Sequence, residues 1–150
     1  MSRLDHLRLV ARPVRTANTP IRRRRDNALR ALDEQIRLAE MMARGERYTA
    51  TAQRWEIDPA TGERRRIEWP RRVYAWFWQV DGAEWFVTLR YGNRCIDLAR
   101  GRRAVQVESL AEVIETLRTL REAAREGEFD AGLESASRTI HAMFKGQNGK

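Results

Sequence analysis

Apolar residues early in the chain recur at three- and four-residue spacing. Leu29, Leu32, Ile36, Ala39 and Ala43 fall on one side of a helix that Thr19 caps, with Pro20 at its first position and Gly45 beyond its end. From Arg47 to Glu108 the period drops to two. Strands are predicted over 48–57, 63–69, 72–80, 84–91 and 94–98, with a short sixth over 104–108. DPATG at 58–62, Pro70, Asp81-Gly82 and Gly92-Asn93 supply the breaks between the first five. Ser109 with Glu112 reads as a capping box for a helix whose apolar face is Leu110, Val113, Ile114, Leu117, Leu120 and Ala124. Gly127 stops it, and Asp130 opens a last helix through Phe144, carrying Leu133, Ala136, Ile140 and Met143. The expected fold class is α+β: an antiparallel β-meander of five to six strands, flanked by an N-terminal helix and two C-terminal helices. Residues 1–19 read as a basic arm with a short strand over 6–11, residues 20–145 as a single domain and 146–150 as a disordered tail.

Register follows from counting outward from the turns. A two-residue loop at Asp81-Gly82 pairs Val80 with Ala83, Trp78 with Trp85, Trp76 with Val87 and Tyr74 with Leu89. A second such loop at Gly92-Asn93 sets Leu89 opposite Ile96 and Val87 opposite Leu98. These positions share one large apolar side, so Trp76, Trp78 and Trp85 are expected in the core. The other side carries a Phe77–Phe86 pair with Arg90 nearby, and two readings of it stand. The rings form a stacking surface for unpaired bases, or they stabilise the sheet beneath a cover of hairpin or arm. Trp55 and Trp69 lie among the arginines of the first hairpin, either as stacking platforms or as a satellite cluster under arginine stems.

The chain has 150 residues, 42% of them hydrophobic, which is enough for one core without staples. Its single cysteine, Cys95, cannot form an internal disulfide, and a buried structural thiol is its expected role. No apolar run reaches the ~18 residues of a membrane span, and arginine interrupts the N-terminal apolar stretch too early for a signal peptide. A cytoplasmic location with no membrane contact is expected. Charge changes the picture further. The net charge is +8, and residues 1–30 hold nine arginines against Asp5 and Asp26, while 44–103 hold thirteen against eight acids. The run at 22–25 places four cations at a helix N-terminus, where the helix dipole favours acids. Arg12, Arg15, Arg22, Arg23, Arg24 and Arg25 are therefore candidate phosphate contacts. Arg54, Arg64, Arg65, Arg66, Arg71 and Arg72 would extend the track, with Arg90, Trp55, Trp69, Phe77 and Phe86 as the remaining candidates.

Other chemistry finds few residues to carry it. His6, His141 and Cys95 are too dispersed for a ligand set, and there is no paired-acid loop or glycine-rich phosphate loop. No metal, no cofactor and no catalytic residue is expected, and the chain reads as a non-enzyme.

The ARPVR segment, the arginine-rich helix, the tryptophan-rich strands, RYGNRCIDLARGRRAVQVESL and REGEFDAGL together resemble a family of small arginine-rich proteins from temperate phages and prophages of proteobacteria. That family has no assigned activity, so the resemblance implies a phage or prophage setting and no site residues. A looser analogy, a meander followed by a helix, is with single-strand-binding coactivators that act as dimers, which makes a homodimer compatible with the pattern. The function expected is non-enzymatic, non-specific or single-stranded nucleic-acid binding. The alternative is a phage-encoded module that binds a host protein, such as a defence system or polymerase, and inhibits or redirects it.

Overall fold

The computed structural model describes residues 3–13 and 19–148. Thr19 accepts a hydrogen bond from the Arg22 N–H (3.3 Å), satisfying one otherwise orphaned donor at the start of α1, Pro20–Ala43. The buried stripe of α1 is Ala28, Leu32, Gln35 and Ala39, with Leu29 and Ile36 half-buried beside it. Ala43, expected on that stripe, is exposed.

The strands follow as β1 (Ala50–Ile57), β2 (Arg64–Arg71), β3 (Phe77–Val80), β4 (Glu84–Thr88), β5 (Arg90–Tyr91), β6 (Arg94–Cys95) and β7 (Ala104–Val107). The chain ends with α2 (Leu110–Arg125) and α3 (Asp130–Asn148). The α+β class and the order of helix, strands and two helices are those expected. All the strand pairings are antiparallel, but they fall into three separate sheets instead of one continuous meander. β1 pairs only with β2, β5 only with β6, and the central sheet has the order β3-β4-β7. The backbone over 8–13 has no strand, so the short strand expected over 6–11 is absent. α3 runs to Asn148 and takes in 146–148 of the expected tail, whose last two residues lie outside the described ones.

The largest correction concerns register. The Asp81-Gly82 turn forms, with positive φ at both residues and the Ala83 N–H bonded to the Val80 carbonyl (3.0 Å). Yet Val80 pairs with Glu84, Trp78 with Phe86 and Phe77 with Val87, so Ala83 is an extra residue in the loop. A one-residue slip sends every side chain of β3 to the opposite face. Phe77 is thus in the core at 3% exposure, its ring 6.3 Å from that of Trp85, and the expected Phe77–Phe86 pair does not exist. Trp78, expected inside, is 44% exposed and stacks on Phe86 at 6.0 Å and 25°. Tyr74, also expected inside, is 68% exposed, whereas Trp76 and Trp85 pack half-buried against the core as anticipated. Sequence alternation could not resolve this choice, because Trp76-Phe77-Trp78 is apolar on both faces. The Gly92-Asn93 loop does have the expected register, with Arg90 opposite Cys95 and Ile96 N–H bonded to the Leu89 carbonyl (2.8 Å). Val87, however, faces Val105 of β7, and not Leu98.

Val87, Leu89, Leu117, Leu133, Leu32 and Val113 are the largest fully buried side chains, where the central sheet meets the helices. α2 packs along α1, and ion pairs flank that contact: Arg121 with Asp33 (2.5 Å) and Arg118 with Glu40 (2.9 Å). Ser109 caps α2, and Glu112 reaches back to the Glu108 N–H (2.7 Å), one residue beyond the usual capping-box partner.

Gln35 is a polar residue inside the buried face of α1. Its Nε2 donates to the Tyr74 carbonyl and its Oε1 accepts from the Trp76 N–H, both at 2.9 Å, so it acts as a stand-in strand for residues 74–76. Gln35→Ala leaves both backbone groups without these partners, at a cost of about 3 kcal/mol. A thermal melt is expected to drop by roughly 6–12 °C. A change under about 1 °C would mean that water replaces the amide without loss.

Candidate nucleic-acid interface

β1 and β2 pair along their whole length, from Ala50 with Arg71 to Ile57 with Arg64. At about 3.4 Å per residue, the ribbon is roughly 27 Å long. Apart from Ala50 and Ile67, every residue in it is exposed, and Arg71 ties its foot to α1 through Glu34. Pro70 is tolerated within it because both strands are edges. One face presents Arg54, Trp69, Ile67, Arg65 and Glu56, and the other presents Trp55, Arg66, Arg64, Ile57 and Glu68. Arg54 lies 3.7 Å from the Trp69 ring centroid, and Arg66 and Arg64 lie 5.5 and 5.7 Å from that of Trp55. The indoles remain 57% exposed at Trp55 and 48% at Trp69. Arginine side chains thus lie over both rings while about half of each indole stays open. Each is a ring with cations beside it, which is the local chemistry that takes a stacked base and its phosphate. Asp58 and Glu63 stand near the tip, so the ribbon's positive charge is concentrated along its shaft.

The arginine run divides. Arg22 and Arg23 are exposed, and Arg24 is half-buried, lining a hollow with Glu134, Arg138 and His141. Arg25 has a structural role: its Nε and Nη2 donate to Asp130 at 3.2 and 2.5 Å, tying α1 to the start of α3. Gly127 lies against that guanidinium, and a Cβ there would sit 2.7 Å from Nη2. The hydrogen bond to Asp130 holds the Arg25 guanidinium pKa above its ordinary value. Arg12 is exposed in the N-terminal segment, and Arg15 lies outside the described residues.

At the foot of the ribbon, Arg71, Arg72 and Arg90 meet around an open cleft of about 530 Å³ between α1 and the β5–β6 turn. Arg71 is bound on both nitrogens by Glu34, which raises its pKa, and Glu34 also accepts from the Tyr48 hydroxyl (3.3 Å). Arg72 stands 4.9 Å from the Tyr74 ring centroid, and Arg90 is exposed. A third aromatic surface is the outer face of the central sheet, where Trp78 replaces Phe77 beside half-buried Phe86.

Sequence reasoning thus missed Trp78 and Tyr74. The signal available for Tyr74 was its place two residues from Arg72, just after the break at Pro70. Cys95 is half-buried, its Sγ 3.8 Å from the Arg103 carbonyl. Among the described residues no group of three or more His, Cys, Asp or Glu side chains is placed to hold a metal ion, and no helix is long and apolar enough to cross a membrane.

Comparison with curated proteins and with solved structures gives no match. Residues 6–133, covering α1 through the start of α3, match a family model described only as a family of unknown function. The chain therefore belongs to the family of unknown function DUF6641.

Proposed function

We propose that this protein is a non-enzymatic nucleic-acid-binding accessory factor of a temperate phage or prophage, and that the β1–β2 ribbon is its principal contact. The observation that carries the reading is the ribbon's exposure: two tryptophans flanked by arginines project from the body with neither face covered. An isolated two-stranded hairpin is marginal in water, so a ribbon of this length gains most when a partner fills its faces. Arginines along its shaft neutralise phosphates, and the indoles stack on bases whatever their identity. Exposed stacking rings favour unpaired strands over duplex, and the arginines of the N-terminal segment and of 22–24 add non-specific attraction.

Fluorescence anisotropy with labelled single-stranded and duplex oligonucleotides at about 50 mM salt tests this, since that ionic strength preserves even weak phosphate contacts. Binding to both is expected, with the single strand tighter. No binding to either would end the reading, and retention of a host protein from nuclease-treated lysate would then favour a protein-binding module.

A further inference from the structure

We infer that the cleft at the foot of the ribbon is a pocket for one unpaired nucleotide, with the base on Tyr74 and the phosphate held between Arg72 and Arg90. This rests on the nucleic-acid reading above, since the nucleotide is taken to belong to a bound strand.

Charge accounting within the cleft comes first. Of its three guanidiniums, Arg71 is committed to Glu34, and the pair cancels. Glu34 is further occupied by the Tyr48 hydroxyl, so it does not repel an entering anion as an unpaired carboxylate would. Among the described residues the guanidiniums of Arg72 and Arg90 make no hydrogen bond or ion pair, Arg72 lying over the Tyr74 ring, and both residues line the cleft. Two uncommitted guanidiniums around one opening are a phosphate-binding arrangement.

The aromatic component narrows the ligand from anion to nucleotide. Tyr74 is 68% exposed although it lies in a chain segment clamped by Gln35 through hydrogen bonds to Tyr74 and Trp76. A rigid backbone thus presents a largely exposed ring, with the Arg72 guanidinium lying over it. Arg72 is near that ring, so stacking and phosphate contact occur within one residue's reach. Asn93, in the turn beside the cleft, adds an amide able to pair with a base edge. A cleft of about 530 Å³ is of the size that holds a small-molecule ligand.

The test is a titration of the isotope-labelled full chain by two-dimensional NMR with thymidine 5′-monophosphate and, separately, inorganic phosphate. The nucleotide is expected to move the amide signals of Tyr74, Arg90 and Asn93 with a dissociation constant of about 1 mM. Inorganic phosphate is expected to bind the same place roughly 10-fold more weakly, lacking the stack. Tyr74→Ala should reduce nucleotide affinity to that of phosphate, and Arg90→Ser should weaken both ligands. Both residues are exposed, and the unchanged remainder of the spectrum verifies the fold. Indole signals of Trp55 and Trp69, followed in the same titration, report binding at the ribbon and separate it from binding in the cleft. Cleft signals that do not move up to about 10 mM nucleotide, equal response to both ligands, or indifference to Tyr74→Ala would each overturn the inference, even if oligonucleotides bind. Nucleotide binding in the cleft without any oligonucleotide binding would instead remove the ribbon reading and the strand-bound role of the pocket.

Discussion

Replacing Trp55 and Trp69 together with alanine is expected to weaken single-stranded oligonucleotide binding by about 100-fold, with no fall in the melting temperature of the body. Each base–aromatic stack is worth about 1–3 kcal/mol, and the two indoles lie on opposite faces of the ribbon, where they serve different bases. The melting temperature is spared because neither ring packs on the core. Some stability of the ribbon itself is lost with the Arg54–Trp69 contact, about 0.5–1 kcal/mol at an exposed site. That loss acts in the same direction, since a frayed ribbon binds less. Anisotropy gives the affinity and circular dichroism the melt. Loss of both together would place the tryptophans in the fold, and loss of neither would move the contact to Trp78 and Phe86.

Phe77→Ala is expected to have the largest effect on stability. Val80 pairs with Glu84 around a loop of Asp81, Gly82 and Ala83, and this register places Phe77 in the core at 3% exposure. Losing a buried Phe costs about 3–5 kcal/mol, equivalent to a melt lower by about 10 °C or more in a chain of this size. Trp78→Ala, on the opposite and more exposed face, is expected to lower the melt far less. Equal losses at the two positions would mean that both sides of β3 are packed alike.

The contrast between Phe77 and Trp78 also exposes why the sequence conveys some parts of the structure and not others. Helix ends were legible because their signals are local: Thr19-Pro20 and Ser109 with Glu112 act within one turn. The Arg90–Cys95 pairing was legible for the same reason, since Gly92-Asn93 permits little else. The β3 register was not, because both faces of Trp76-Phe77-Trp78 are apolar and a single loop residue decides between them. The division into three sheets was hidden as well. β4 takes β7 as its neighbour after the chain reverses at Ala99–Arg102, a choice made by long-range packing. The arginines show the limit most clearly. Arg25 and Arg71 look like their neighbours in the sequence, yet Asp130 and Glu34 bind them from remote segments. The tryptophans of the ribbon were legible as candidates, but which arginines lie over them follows from the pairing of β1 with β2, which adjacent sequence does not show.

The most direct test of the ribbon's role is the dependence of single-strand affinity on salt, in the wild type and in a variant with Arg54, Arg64, Arg65 and Arg66 all replaced by serine. Guanidinium charges do not titrate in the accessible pH range, so salt, not pH, reads their contribution. If these four side chains neutralise phosphates, the slope of log K against log salt should become shallower by about 2–3, at an unchanged melting temperature. Equal slopes and equal affinities in the two proteins would contradict the assignment of the ribbon as the nucleic-acid contact.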